Sequence, residues 1–203
     1  MKENHILIGL GGTGGKVLKA FRKRLYQEYN DEERAKLPIA FLYVDSSTEE
    51  MMAGDKTWYV LGKNAQFTAN EFVNVKGVDI KSILANPKNY PGLKGLIGDG
   101  EVMAKTIGEV GAAAAQKRRA GRILFGSSVE KYKSALLGAY DRVNKITHAE
   151  RTNIYIFTGL AGGTGSGSII DVISQTRMMP QFQEPLSMDG KTGTSIVVNA
   201  MVP

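Results

Sequence analysis

The residues best placed to do chemistry lie between Ile154 and Ser168, in the run IYIFTGLAGGTGSGS. Gly159, Gly162, Gly163, Gly165 and Gly167 are interleaved there with the hydroxyl residues Thr164, Ser166 and Ser168. An apolar run, Ile154 to Phe157, leads in, and Ile169, Ile170, Val172 and Ile173 follow. Strand, glycine loop and helix in that order present backbone N–H groups to an anion at a helix N-terminus. Glycine lets the backbone come close to that anion. The hydroxyls add donors, and one of them is expected to cap the helix. The chemistry written in this pattern is phosphate binding. A flexible linker would not be pinned between two apolar elements. The P-loop signature closes on Gly-Lys followed by Ser or Thr, and this loop has no lysine.

The pattern has an echo near the N-terminus. His5 to Gly9 reads as a short strand, then Leu10-Gly11-Gly12-Thr13-Gly14-Gly15, then a helix over Val17 to Tyr29 with Val17, Leu18, Phe21, Leu25 and Tyr29 on one side. Gly9, Gly11 and Gly14 satisfy GxGxxG, a weak signal alone but one set here between strand and helix. Lys16 nearly completes a P-loop, yet Leu10 and Val17 break it.

The elements that must position these loops alternate. Ile39 to Val44 reads as a second buried strand, closed by Asp45, Ser46 and Ser47. Asp45 suits a ribose hydroxyl or, equally, a turn or helix cap. Residues 48–106 show little pattern: Thr57 to Leu61 reads as an edge strand, Asn86 to Gly100 as a long loop, and Met51, Met52 and Trp58 as core or lid. Gly111 to Phe125 reads as a loop entering a helix favoured by its alanines. Val129, Tyr132, Leu136, Tyr140 and Val143 form a core stripe on the next helix. After a turn-rich connection from Pro180 to Gly193, Thr194 to Met201 reads as a final buried strand. Alternating strands and helices predict a doubly wound, mostly parallel, Rossmann-like α/β sheet with helices on both faces. Ligands bind such sheets at the carboxyl ends of the strands, where both loops and Asp45 fall.

The chain's 203 residues suit one large domain, with 42% apolar and 23% charged residues. No apolar run approaches a membrane span, and the opening residues do not read as a signal peptide. Cysteine is absent and the two histidines, His5 and His148, are far apart, which leaves no disulfide framework and no Cys- or His-based metal centre. A cytoplasmic setting is expected. The net charge of +6 gathers at Lys16 to Lys23 and Lys117 to Arg122. Without interleaved aromatics these clusters read as solvated helix faces or the rim of a triphosphate site rather than a nucleic-acid surface.

Two glycine loops together narrow the field. GGTGSG, Gly162 to Gly167, resembles the signature loop of tubulins and their bacterial relative FtsZ. GLGGTGG is similar to that family's opening nucleotide loop, and Ala113 to Arg122 (AAAQKRRAGR) resembles its γ-phosphate segment, with Gln116, Arg118, Gly121 and Arg122 fitting. The resemblance covers essentially the whole chain. It implies a tubulin/FtsZ-type GTPase domain over residues 1–203, binding GTP or GDP with Mg²⁺ carried on the phosphates. Gly162, Gly163, Thr164, Gly165, Ser166 and Gly167 would hold the α- and β-phosphates. Gly11, Gly12, Thr13 and Gly14 would line phosphates and sugar, Ala114, Ala115 and Gln116 would face the γ-phosphate, and Asp45 would contact the nucleotide from the second strand. No catalytic or metal-ligating residue is assigned. In the family the guanine-reading residues lie on a later central helix, and the water-activating acids on a later loop inserted into the neighbouring subunit. The resemblance therefore implies a nucleotide-binding half without the family's second, C-terminal domain, with hydrolysis needing a neighbour's carboxylate and GTP-dependent head-to-tail filaments as the intact protein's output. Departures are the alanines of the γ-phosphate segment and Lys16 in place of a polar residue. The alternatives are a dinucleotide (NAD or FAD) module built on GxGxxG and Asp45, though Asp45 lies well beyond the roughly 20 residues of the usual spacing, and a non-catalytic scaffold with a structural nucleotide.

Overall fold

A computed structural model describes residues 2–52, 54–77, 79–93, 100–107, 114 and 116–202. The strand β1 (Asn4–Leu10) runs directly into α1 (Gly11–Glu28). A short helix, α2 (Asp31–Ala35), is capped reciprocally by Asn30 and Glu33 before β2 (Ile39–Asp45). Then come β3 (Tyr59–Val60), β4 (Lys63–Asn64) and β5 (Phe72–Asn74). Helices α3 (Ile80–Ala85), α4 (Gly100–Ile107), α5 (Arg118–Ser127) and α6 (Val129–Thr147) follow. The last elements are β6 (Arg151–Gly159), α7 (Thr164–Arg177) and β7 (Gly193–Met201).

The main sheet has the order β5-β2-β1-β6-β7, and every pairing in it is parallel. From β1 the chain moves outward to β2 and β5, then crosses back to β6 and β7. The direction of winding reverses between β1 and β6, which creates a crevice at their carboxyl ends. Register sets the crevice floor: Leu10 lies opposite Val44 on one side and Thr158 on the other, so three strands end at one level.

Parallel strands must be covered on both faces, and period-two alternation divides their side chains accordingly. Leu7, Phe41 and Tyr43 pack with Leu18 of α1 and with Trp58 and Phe67 on one face. Ile6, Ile8, Leu10, Leu42, Val44, Ile154 and Ile156 pack on the other against Leu124, Tyr132, Leu136 and Val172 of α5, α6 and α7. The expected doubly wound α/β fold is the one observed. On α6 the predicted stripe is core: Val129, Tyr132, Leu136 and Val143 are buried and Tyr140 packs against them. That helix ends where His148 turns left-handed (φ 51°).

Several expectations need correction. Thr57 to Leu61 is not an edge strand of the main sheet: among the described residues β3 pairs only with β4, in a hairpin turning at Leu61 and Gly62, both with positive φ. The edges of the main sheet are β5 and β7. Within Asn86 to Gly100 the described residues include two 3₁₀ turns, Pro87–Asn89 and Pro91–Leu93. Trp58 is core and donates its indole N–H to Glu50 O at 2.8 Å, whereas Met52 is exposed. The helix after the alanines starts only at Arg118; Ala112, Ala113 and Ala115 lie outside the described residues. β7 is not buried, since no strand pairs beyond it among the described residues and Val197 and Val198 are exposed. Among the described residues no helix is long and apolar enough to cross a membrane.

Candidate functional site

A cleft of about 480 Å³ lies over the carboxyl ends of β1, β2 and β6. Gly11, Gly12 and Thr13 enter it from α1, and Asp45, Ser46 and Ser47 from the end of β2. Gly162, Gly163, Thr164 and Gly165 enter from the loop after β6, and Ala114 and Gln116 from the turn before α5. Residues predicted from four separate stretches thus share one cavity. Ala115 lies outside the described residues. Gly14, Ser166 and Gly167 sit one layer behind the lining. A larger depression, about 690 Å³ between β5 and α6, is lined by Lys131, Ser134, Gly138 and Arg142 and lies away from both glycine loops.

Both glycine helices open at this cleft earlier than propensity suggests. α1 begins at Gly11, where φ is +66°, and α7 begins at Thr164. Neither has a side-chain cap or an acidic residue in its first turn. The expected hydroxyl cap is corrected here: Ser166 donates back to Gly162 O, and Ser168 donates to Thr164 O at 2.7 Å. Such i−4 bonds use up the hydroxyls inside the helix, and Gly163 is the N-cap. Two helix N-termini, each with partial positive charge and orphan N–H groups, therefore face one space. A third, α5, starts beside Gln116 without a cap and carries Lys117, Arg118 and Arg119 at its positive end. Cations there oppose the helix dipole; a bound anion offsets both.

The glycines divide by what surrounds them. A Cβ on Gly14 would lie 2.3 Å from Phe157 O, and one on Gly165 2.7 Å from Leu10 O. On Gly121 it would meet Gly163 O at 2.1 Å, and on Gly167 Arg118 O at 2.2 Å. These glycines let strand ends and helices touch backbone to backbone. Around Gly12 and Gly162 nothing lies within 4 Å of the added atom. Both line the cleft, and the open space they face is ligand-sized room rather than protein.

Asp45 is almost fully committed to its own chain. One carboxylate oxygen accepts from Ser46 N (2.7 Å) and Ser47 N (3.3 Å), and the other from Tyr43 OH (2.7 Å). This is the turn-aspartate geometry, and the sequence had left it level with a ribose contact. Burial first, then Asp45, pushes the Tyr43 phenol far above its ordinary range, so it stays a donor. Ser46, which carries no sequence signature, joins three segments: its Oγ accepts from Ala114 N at 3.2 Å and lies 2.9 Å from Thr164 Oγ1. Gln116 holds φ at 61°, and Lys117 N closes the turn on Ala114 O at 2.8 Å. That turn packs on Gly163, whose added Cβ would meet Ala114, Gln116 and Lys117 within 3.0 Å.

Charge at the rim is mixed. Glu49 and Glu50 also line the cleft, unpredicted, and Lys19 pairs with Glu50 at 3.5 Å and Asp55 at 3.4 Å. Lys23 donates to Thr57 O, Lys117 to Ile107 O and Arg118 to Leu160 O. Arg122 grips Asp171 with two bonds of 2.8 and 3.0 Å, and that bond raises its pKa. Most of the two basic clusters is therefore spent on internal contacts. Lys16 lines the cleft, is exposed, and has no bonding partner among the described residues.

Fold and site together define a doubly wound α/β domain with an anion-receptive crevice at its switch point. Residues 6–194 match the family model described as "Tubulin like", and the chain belongs to that tubulin-like family. No curated protein matches it. Among solved structures, CetZ1 from Haloferax volcanii, a GDP-bound monomer, is similar at 18% identity and a TM-score of 0.46. The similarity covers 98% of this chain and 41% of CetZ1, so the chain spans well under half of that protein's length.

Proposed function

We propose that the chain is the nucleotide-binding domain of a tubulin-like GTPase and holds GTP or GDP in the cleft between α1 and α7. The observation that carries this reading is the meeting of two uncapped, acid-free helix N-termini at a cavity where Gly12 and Gly162 face open space. Gly162 to Gly165 would take the α- and β-phosphates, with Ser166 and Gly167 shaping the turn behind them. Gly11 to Thr13 would close over phosphates and sugar, with Gly14 fixing α1 on the strand end. Ala114, Ala115 and Gln116 would meet the γ-phosphate, and Asp45 would shape the β2 end of the site. Guanine as the base rests on membership of the tubulin-like family.

Among the described residues no group of three or more His, Cys, Asp or Glu side chains is arranged to hold a metal. Mg²⁺ would come to this site borne on the phosphates, with Glu49 and Glu50 as rim carboxylates able to hold its waters. It would neutralise phosphate charge. The domain's own residues position the triphosphate and stabilise charge on it, which is most of what phosphoryl transfer asks of a protein. The attacking water needs a carboxylate from a neighbouring subunit or from elsewhere in the intact protein. We therefore infer GTP-dependent head-to-tail assembly in the cytoplasm, a heterologous contact that does not close. The commitment of Asp45 to three donors of its own chain weighs against the dinucleotide module.

Calorimetric titration of the chain with GTP, GDP, ATP and NAD, each with Mg²⁺, tests the binding claim. Guanine nucleotides are expected to bind and the others not; preferential NAD binding would overturn the reading. Sedimentation of the intact protein with and without GTP tests assembly, and equal pelleting in both would remove the filament claim.

A further inference from the structure

A buried serine hydroxyl ties the candidate γ-phosphate turn to the glycine-loop helix, and an anion at that helix would give the tie a direction. Ser46 is 4% exposed and Thr164 5%. Ser46 Oγ accepts the Ala114 N–H and lies 2.9 Å from Thr164 Oγ1, a pair in which either atom can be the donor. A serine hydroxyl has one proton and two acceptor sites. Whichever of the two donates, the other keeps a proton with no acceptor among the described residues, and both residues line the cleft. A phosphate oxygen against Thr164 would resolve the choice, because Thr164 would donate to it and accept from Ser46. With an anion at the helix the chain of donation would run from Ala114 N–H to Ser46, from Ser46 O–H to Thr164, and from Thr164 O–H to the anion.

We propose that Ser46 is a positioning residue that sets Thr164 as a hydrogen-bond donor to a phosphate oxygen and couples this donation to the place of the 114–117 turn. This rests on the nucleotide-binding reading above and deepens it. The segments joined are distant in sequence, and Ser46 is the hydroxyl that bonds to both of the others. The turn it holds is otherwise fastened by Lys117 N to Ala114 O and by packing on Gly163. A ligand with a terminal phosphate against the turn feels both ends of the relay. A diphosphate against α7 alone feels only Thr164. Ser46 is therefore a determinant of triphosphate over diphosphate preference.

The experiment measures Kd for GTP and GDP, with Mg²⁺, for the wild-type chain, Ser46→Ala, Ser46→Thr, Thr164→Val and the Ser46→Ala/Thr164→Val double variant. Thermal melts show which variants stay folded. Ser46→Ala is expected to weaken GTP about 10-fold and GDP about 3-fold or less, narrowing the ratio between them, and Ser46→Thr to restore that ratio. The double variant is expected to lose less than the product of the single losses, as residues acting in one network do. Equal losses for GTP and GDP would reduce Ser46 to a merely structural role and overturn the proposal. So would multiplicative losses in the double variant, or unchanged affinities in Ser46→Ala. If the wild-type chain binds neither nucleotide, the nucleotide-binding reading fails first, and the two failures are distinct.

Discussion

The two ends of β1 and β6 treat their polar groups in opposite ways. At the amino end the chain satisfies itself: Asn4 donates to Asn144 (3.3 Å) and accepts from Thr147, and Asn153 donates to Glu3 (2.8 Å) while accepting twice from Arg151. Arg151 also reaches Glu3 at 3.1 Å and Gly190 O at 2.9 Å. At the carboxyl end the same strands finish in glycines, uncapped helices and backbone donors that face a cleft. Buried polar groups are normally paired within the protein, so donors left facing a cleft mark the carboxyl end as the one the proposed ligand would meet. The contrast teaches a second point. Glycine is common to the whole carboxyl end, yet only Gly12 and Gly162 have the open surroundings of a binding surface, while the others are packing devices.

The largest expected effect comes from ignoring that division. Gly121→Ala places a methyl group 2.1 Å from Gly163 O, a backbone atom that cannot step aside. Overpacking on the order of 3 kcal/mol outweighs the helix preference of alanine over glycine, about 1 kcal/mol. A melting temperature lower by roughly 4–8 °C is expected for the net ~2 kcal/mol, together with loss of nucleotide binding, because Gly121 and Gly163 hold α5 on the second glycine loop. Unchanged melting would mean that α5 and the loop are further apart than described.

A crossed pair of variants tests the comparison directly. Asn153→Ala removes a 3% exposed side chain from the amino-end network and should cost about 1–3 kcal/mol while leaving GTP affinity of the folded chain intact. Gly162→Ala meets no atom within 4 Å, so melting should move by no more than about 2 °C. Its expected cost is about 10-fold in GTP affinity, or ~1.4 kcal/mol. If the two variants exchanged their effects, the assignment of one end to stability and the other to binding would be wrong.

The same division explains what could be read from sequence. The continuous apolar runs of β1, β2 and β6 and the α6 stripe were legible because burial on both faces, or along one stripe, writes itself in spacing. The starts of α1 and α7 were misplaced because glycine propensity argues against helix, while the requirement that won is close contact: Gly14 must touch Phe157 O. The alanine run misled in the opposite sense. Ala114 is held out of the helix by its bond to Ser46, and Gln116 turns left-handed behind it. β5, with three residues, is too short to show a period, and the turn of the β3–β4 hairpin places Leu61 where asparagine or glycine would have signalled it. Ser46 was invisible because its role is made entirely by partners distant in the chain.

Lys16 sharpens the carboxyl-end side of the comparison. Helical side chains lean back toward the N-terminus, which directs Lys16 toward Gly12, four residues earlier and without a side chain. Lys16→Gln is expected to leave melting unchanged and weaken GTP about 3- to 10-fold, with a flatter dependence of affinity on salt, since exposed charges act through screened attraction. A salt dependence identical to wild type would assign Lys16 to solvent.

The smallest effect is expected at the opposite end and is a matter of pH. His5 is half-buried at the start of β1, stacked on Tyr155 at 6.2 Å between ring centres. Burial lowers its pKa, the nearby Arg151 lowers it further, and Glu3 partly opposes both. The folded chain therefore takes up the His5 proton at lower pH than the unfolded chain, whose histidine titrates near ~6.5. Above that pH the residue is neutral in both states and contributes no pH dependence. As pH falls below it, the unfolded state binds the proton first and stability declines, until the folded state is protonated as well. Melting of the wild type and His5→Gln, compared from pH 7.5 to pH 5, should show a slightly steeper fall for the wild type. GTP affinity of the folded chain should show no matching step, because His5 lies at the far end of the strand from the cleft. A step in affinity that disappears in His5→Gln would show that the two ends of β1 are coupled, and the separation between a self-satisfied end and a ligand-facing end would no longer hold.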